Sequence, residues 1–172
     1  MTVPNPRTSS SPESSAPAAG PAALSGEELL QAVVDGRIAP PAISTTLGFS
    51  LTAVRPGHAT AAGETDPGLG NINGTVHGGY LATLLDSVLG ASVLTLLPPG
   101  AGISTVQLNV NFVRPVPVGL GMLHCSAQVV HLGRTLATAQ AQLVGMDGGR
   151  LYAHATAGIA VIPAGPDLPT GR

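Results

Sequence analysis

Residues 71–97, NINGTVHGGYLATLLDSVLGASVLTLL, decide the fold. From position 78 to 97 nearly every side chain is apolar or small, the longest such run in the chain. A helix of that length extends about 30 Å at about 1.5 Å per residue. That length invites a membrane span, but Asp86, Ser87, Ser92 and the interrupting Thr and Gly residues argue against one. A helix that is apolar all round belongs in a core. The pattern therefore predicts a buried helix over 78–97, entered from a Gly/Asn-rich loop at 66–76 and ended by Pro98-Pro99-Gly100.

The sequence on either side of this helix alternates with the period of strands. Downstream, Val106, Leu108, Val110 and Phe112 alternate with polar partners, as do Leu123, Cys125, Ala127 and Val129. Ala137, Ala139, Ala141 and Leu143 repeat the pattern, and Leu151, Ala153, Ala155, Ala157, Ile159 and Val161 share one face. The links at 116–119, 133–134 and 147–149 are too short for parallel crossovers, so these strands are antiparallel. Upstream, Leu47, Phe49, Leu51 and Ala53 alternate, and Pro56-Gly57 turns the chain into a second strand over 58–65. Ser25 caps a short helix with Glu27 and Glu28 in its first turn and Leu29, Leu30, Val33 and Val34 as its apolar face. Six strands and one wholly apolar helix have one natural solution: an α+β domain whose antiparallel six-stranded sheet curls around a long central helix. Facing alanines let helix and sheet approach closely.

Composition narrows the function. Of 172 residues, 44% are apolar, 9% charged and 2% aromatic, against about 25% charged in an ordinary soluble domain. Seven basic residues, all Arg, against nine acidic ones exclude the broad basic face of a nucleic-acid binder. One cysteine excludes an internal disulfide and weakens any Cys-ligated metal site. Sparse surface charge points to apolar surface covered by another subunit. Residues 1–24, rich in Ser, Pro and Ala, are expected to be disordered, and 163–172 to form a flexible tail. Without a secretory apolar block near the N-terminus, the expected location is the cytoplasm, with no membrane partner.

Three features could carry chemistry. The glycines at the helix entrance, Gly78 or Gly79, lie where helix N–H groups are unpaired and could cradle an oxyanion. The alternative is a flexible loop whose glycines serve only packing. Asp86 is an acid midway along a buried helix, which is costly unless it is solvated or bonded. Gly79, Thr83, Asp86 and Gly90 fall on one helical stripe, a groove of small residues suited to a ligand; a structural Asp held by a neighbouring hydroxyl is the alternative. Gly133-Arg134-Thr135 is by default a hairpin turn whose Arg could instead contact phosphate. His77 and Asp86, nine residues apart, lie on opposite faces about 13 Å apart along the axis. If both helix ends serve one reaction, the donors and the acid must come from two chains, as in a twofold dimer. His77 is then an orienting hydrogen-bonder. Cys125 reads as a small core residue, and His124, His131 and His154 lack metal-ligand spacing.

These residues, in this order, resemble the PaaI-type hotdog-fold acyl-CoA thioesterases. The resemblance rests on Asn-x-x-Gly-x-x-His-Gly-Gly at 71–79, an Asp seven residues after the second Gly, the strand at 106–115 and the Gly-Arg-Thr turn, and it runs from about 47 to 161. It implies a hotdog domain over 25–162 that hydrolyses acyl-CoA to a carboxylic acid and CoA, with no metal or redox cofactor. Asp86 then matches the catalytic carboxylate, Gly78 the amide that polarises the carbonyl, and Asn71, from the opposite chain, a polar group that positions the attack. Thr105, or Ser104 if the loop shifts by one residue, matches a hydroxyl near the acid. His77 matches a structural histidine, and Arg134 with its turn neighbours faces the CoA phosphates. The resemblance also implies dimers that pair into tetramers. A non-catalytic acyl-CoA-binding module is the alternative. A hotdog hydratase is disfavoured, because Ala91 stands where that branch has a histidine.

Overall fold

The computed structural model describes residues 24–146 and 148–165. The segments expected to be disordered, 1–24 and 163–172, therefore fall largely outside the described residues. The elements are α1 (Gly26–Val34), α2 (Ala42–Leu47), β1 (Phe49–Arg55), β2 (His58–Glu64), α3 (Gly78–Leu94), β3 (Gly102–Phe112), β4 (Met122–Leu132), β5 (Leu136–Gly145) and β6 (Leu151–Ile162). All six strands form one antiparallel sheet in the order β1-β2-β4-β5-β6-β3. The sheet wraps α3, whose Leu84, Leu85, Val88, Leu89 and Val93 are fully buried. Facing them are the expected small residues: Ala59, Ala61, Cys125, Ala137, Ala139, Ala153 and Ala155. With little or no bulk beyond Cβ, these positions let the strands close on the helix, as the sequence pattern anticipates.

Several boundaries differ from expectation, each for a local reason. Leu47 is not in a strand but ends α2, an unexpected turn of helix: Pro41 stands at its N-cap, and Gly48 closes it in the left-handed region at φ +70°. The central helix stops at Leu94, not Leu97. There the Thr95 hydroxyl donates to the Ser92 carbonyl and accepts from the Gly57 N–H, tying the helix end to the β1–β2 turn. Val106 does not share a face with Leu108. A bulge between Thr105 and Gln107 inverts the alternation, leaving Ile103 and Thr105 on the helix side and Val106 63% exposed. A second bulge in β1, between Leu51 and Ala53, has the same effect at the opposite edge. Bulges add local twist, so both edges of this sheet bend strongly.

Two contacts set how α3 and α1 seat. Gly26 at the start of α1 donates its N–H to the Leu97 carbonyl at 3.0 Å, so close that a Cβ there would lie 1.8 Å from the Leu94 carbonyl oxygen. Ser25 and Glu28 form a reciprocal capping box over the same helix start. On β2, Gly63 makes room for the buried Tyr80 side chain of α3. Its hydroxyl would be 2.1 Å from a Cβ at position 63 and has no hydrogen-bond partner.

Gly63→Ala is expected to destabilise the protein by about 1–3 kcal/mol through overpacking. Tyr80→Phe, which removes the obstructing and unsatisfied hydroxyl, should recover a substantial part of that loss. Urea unfolding of the two single variants and the double variant measures the coupling; strict additivity would show that the hydroxyl is not the obstacle.

Candidate active site

The loop before α3 is held by its own side chains. Asn71 Oδ1 accepts from the N–H groups of Asn73 at 2.8 Å and Thr75 at 3.2 Å, while Nδ2 donates to Thr75 Oγ1 at 2.9 Å. Gly74, at φ +75°, completes the reversal. His77 is the N-cap of α3, and its Nδ1 accepts the Gly79 N–H at 2.9 Å. Neutral His77 thus carries its proton on Nε2 and organises the helix entrance. This bond also separates the two glycines: the Gly79 donor is taken, whereas the Gly78 N–H finds no acceptor among the described residues. Gly78 lies against the ring of Phe112 from β3, 3.2 Å from where its Cβ would be.

Two turns further along α3, Asp86 holds a carboxylate oxygen, Oδ1, that is buried and has no hydrogen-bond partner. Neighbouring hydroxyls do not satisfy it: Thr83 donates to the Gly79 carbonyl at 2.9 Å and Ser87 to the Thr83 carbonyl at 2.8 Å. A buried acceptor without a donor costs about 1–3 kcal/mol or more when charged. Asp86 lines a pocket of about 280 Å³ bounded by Gly90 and Leu94 of α3, Phe49 of β1, Ile103 and Thr105 of β3, and the inner side of α1. β1 and β3 are the two edges of the sheet, so this pocket is the seam where the curled sheet fails to meet itself.

The structure brings some of the sequence-derived candidates together and separates others. Thr105 and Gly90 share the seam with Asp86; Ser104, one residue earlier on β3, is exposed and outside it, and Gly79 and Thr83 do not line it. The expected stripe therefore contributes only its second half to the pocket. Gly78 opens instead into a separate cleft of about 220 Å³ with Phe112, Arg114 and Val116. Eight residues of helix put it about 12 Å from Asp86. Gly133, Arg134 and Thr135 form the β4–β5 turn, closed by a 2.9 Å bond from the Gly133 N–H to the Leu136 carbonyl. Leu136 and Ser104 both pair with Ala160 of β6, so this turn lies at the end of the sheet away from Phe112 and the Gly78 cleft.

Sequence reasoning missed Arg114 beside Gly78 and the covering wall of the seam, Pro40, Pro41, Ile43 and Ser44. Leu30 and Val33 carried a signal as the apolar face of a short helix, but nothing in the pattern said what that face would cover. A groove of about 440 Å³ lies on the outer face of the sheet among Ser126, Gln128, Gln140, Gln142 and His154, and its lining holds no carboxylate. Among the described residues no helix is long and apolar enough to cross a membrane. His, Cys, Asp and Glu side chains there form no group of three that could hold a metal ion.

Residues 73–152 match the sequence profile of the thioesterase superfamily. The chain is similar to acyl-coenzyme A thioesterase 13 of Homo sapiens, 29% identical over 106 residues that span 62% of this chain and 74% of that one. It spans about half the length of two other curated relatives, 57% and 46%, both named as esterases. Among solved structures, a thioesterase-type phenylacetic acid degradation-related protein of Ralstonia eutropha JMP134 is 31% identical, with a TM-score of 0.69 over 76% of this chain and 98% of that one. A point mutant of the phenylacetic acid degradation protein PaaI of Thermus thermophilus is 28% identical, with a TM-score of 0.64 over 70% and 98%. The antiparallel sheet wrapped on one helix is the hotdog architecture of these neighbours.

Cys125 faces α3 from β4, and burial pushes its thiol up to about 12. Because the thiolate is the nucleophile, the native protein at pH 8 should resist alkylation by iodoacetamide and react only once unfolded in urea. Mass spectrometry of the intact chain checks this; rapid native labelling would mean that the β4–α3 contact is open.

Proposed function

From a chain that belongs to the thioesterase superfamily, we propose a thioester hydrolase that cleaves acyl-CoA to a carboxylic acid and free CoA at a site shared by two subunits. The observation that carries this reading is Asp86, which lines an apolar pocket beside Thr105 and whose buried Oδ1 has no hydrogen-bond partner. Such a group is positioned to attack the thioester carbonyl, or to take a proton from a water that does. Either route adds one water across the C–S bond, and the thiolate leaves without needing a strong general acid. The acyl-CoA substrate is supported by the resemblance to acyl-coenzyme A thioesterase 13.

The carbonyl oxygen needs a donor as negative charge develops on it. Gly78 offers the free N–H, on a helix N-terminus whose partial positive charge favours an anion. Within one chain that N–H lies about 12 Å from Asp86, too far for one carbonyl to touch both. A second copy brings them together if two helices run side by side in opposite senses. β3 supports such pairing: it is an unpaired edge of eleven residues, with Val106, Phe112 and Val113 exposed along it. Asn71 holds the loop that presents Gly78, and from the opposite chain it steadies the attacking group. His77 fixes the helix entrance, and Arg134 meets the CoA phosphates.

Asp86→Asn should reduce acyl-CoA hydrolysis by about 10³-fold or more while leaving the fold and assembly intact. Near-native turnover would remove Asp86 from the chemistry, and tight acyl-CoA binding by a wild-type protein that does not hydrolyse it would identify a binding module instead. Single-turnover hydrolysis in heavy-oxygen water distinguishes the two routes, since label enters the Asp86 carboxylate only after covalent attack.

The shared site has a separate test. Gly78→Pro deletes the N–H at a helix position that tolerates proline. Each of Asp86→Asn and Gly78→Pro should be inactive alone, but after unfolding together and refolding as a mixture they should recover about one quarter of wild-type activity, because half the dimers are mixed and each has one intact site. No recovery would place both groups in one chain's site.

A further inference from the structure

The seam pocket has more room than the carbonyl chemistry requires, and its far wall is built by the segment before the sheet. Leu30 and Val33 of α1, then Pro40, Pro41 and Ile43, close over the Gly90–Leu94 face of α3. α1 is anchored to the end of α3 at Gly26, and its Leu30 and Val33 line the pocket beyond that contact. Four lining residues are polar, Ser44, Asp86, Ser87 and Thr105; the others are apolar or small, with Phe49 the one aromatic ring among them.

Resting on the thioesterase reading above, we propose that this seam is the acyl-chain site and that it selects an unbranched aliphatic acyl group of about eight to ten carbons. The volume of about 280 Å³ holds about nine groups the size of a water molecule, at about 30 Å³ each, and a methylene is of that size. Rounded aliphatic walls offer little of the stacked or edge-on partnership that orients an aryl ring. Gly90 keeps the passage from Asp86 to the α1 wall open: a Cβ there would press on Ile103 Cδ1 at 2.9 Å. Val33 of α1 and Ile103 of β3 line the pocket from different elements, and neither lines the cleft of the proposed oxyanion donor; their bulk sets the length of chain the pocket admits.

The test is a hydrolysis panel from acetyl-CoA to hexadecanoyl-CoA, with phenylacetyl-CoA alongside. For the wild-type protein kcat/KM should rise about three- to fourfold per added methylene and stop rising near ten carbons. Val33→Phe should move that break to shorter chains by several carbons, and Ile103→Ala should move it to longer ones. The two opposite shifts guard against a variant that is merely unstable, which would lower all lengths together. Binding of S-decyl-CoA and S-ethyl-CoA, thioethers that cannot be hydrolysed, is measured by calorimetry in parallel. The decyl compound should bind at least 100-fold more tightly to the wild type, and Val33→Phe should erase most of that preference. A preference for phenylacetyl-CoA over octanoyl-CoA, a flat profile, or a break unmoved by both variants overturns the proposal. Loss of activity in Asp86→Asn with an unmoved break would sink the chain-length assignment alone, whereas full activity in Asp86→Asn with a retained decyl preference would sink only the catalytic reading.

Discussion

A six-stranded sheet can bury most of a helix, but here it does not close on it, and the pocket at Asp86 follows from where it fails to close. The strand order leaves β1 and β3 as free edges, and the bulges in both bend them toward each other over α3. One strip of the helix, at Asp86, Ser87 and Gly90, is left between them. An apolar helix cannot leave such a strip in water without losing part of its burial energy. α1 covers one part of it, anchored at Gly26, and the rest is the pocket. The residues on that strip are small or polar because they do not face the sheet. The acid is tolerated on an otherwise apolar helix for the same reason.

The chain's composition fits this geometry. Burying α3 needs an inner sheet surface of low relief, and alanine at alternate positions of β2, β5 and β6, with Cys125 and Ala127 on β4, provides much of it. Small inner residues contribute little apolar area each, so the core draws most of its bulk from Leu84, Leu85, Val88, Leu89 and Val93 of the helix together with Leu123, Leu143 and Ile159 of the sheet. Tyr80 is the exception, a large polar side chain seated by the absence of one at Gly63. The low fraction of charged residues goes with exposed apolar side chains in the fold, among them Val106 and Phe112 on the edge strand β3 and Val113 just beyond it.

Periodicity made most of the sheet legible. The inner faces of β4, β5 and β6 are those the alternation assigns, because the register shifts at Val129/His131 and Leu143/Val144 fall at the ends of the alternating stretches, and between them a strand with one buried face has only one consistent phase. The errors fall where that condition breaks. At Thr105–Gln107 a bulge shifts the phase, and no residue type there announces it. At Ala42–Leu47 six residues are too few for helical periodicity to show, although Pro41 before and Gly48 after are end signals that could have been weighed. In the site, Asp86 and Gly78 could be read because a charge in an apolar helix and glycines at its entrance are local anomalies. That His77 would take the Gly79 donor and leave Gly78 free depends on a ring orientation, and the wall formed by Pro40, Pro41 and Ile43 depends on how distant segments pack. Neither is encoded in spacing.

Two polar atoms in this fold lack partners in opposite senses. Gly78 presents a donor with no acceptor among the described residues, and Asp86 an acceptor with no donor. The buried Asp86 oxygen costs stability, and either group could be satisfied within the chain, by a polar side chain beside Asp86 or by another conformation of the entrance loop. Instead, Thr83 and Ser87 turn their hydroxyls to backbone carbonyls and His77 takes the neighbouring amide, so the nearest in-chain groups are already committed elsewhere. A hydrolytic site requires this condition, because donors and acceptors aimed at the transition state must not be spent in the ground state. In the proposed reaction, one thioester and one water would supply the missing complements: a carbonyl oxygen for the amide, and an electrophilic carbon or a proton for the carboxylate. Since about 12 Å of helix separates the two orphans within a chain, the smallest arrangement that satisfies both at one carbonyl is a pair of antiparallel copies of α3, which then has two such sites by symmetry.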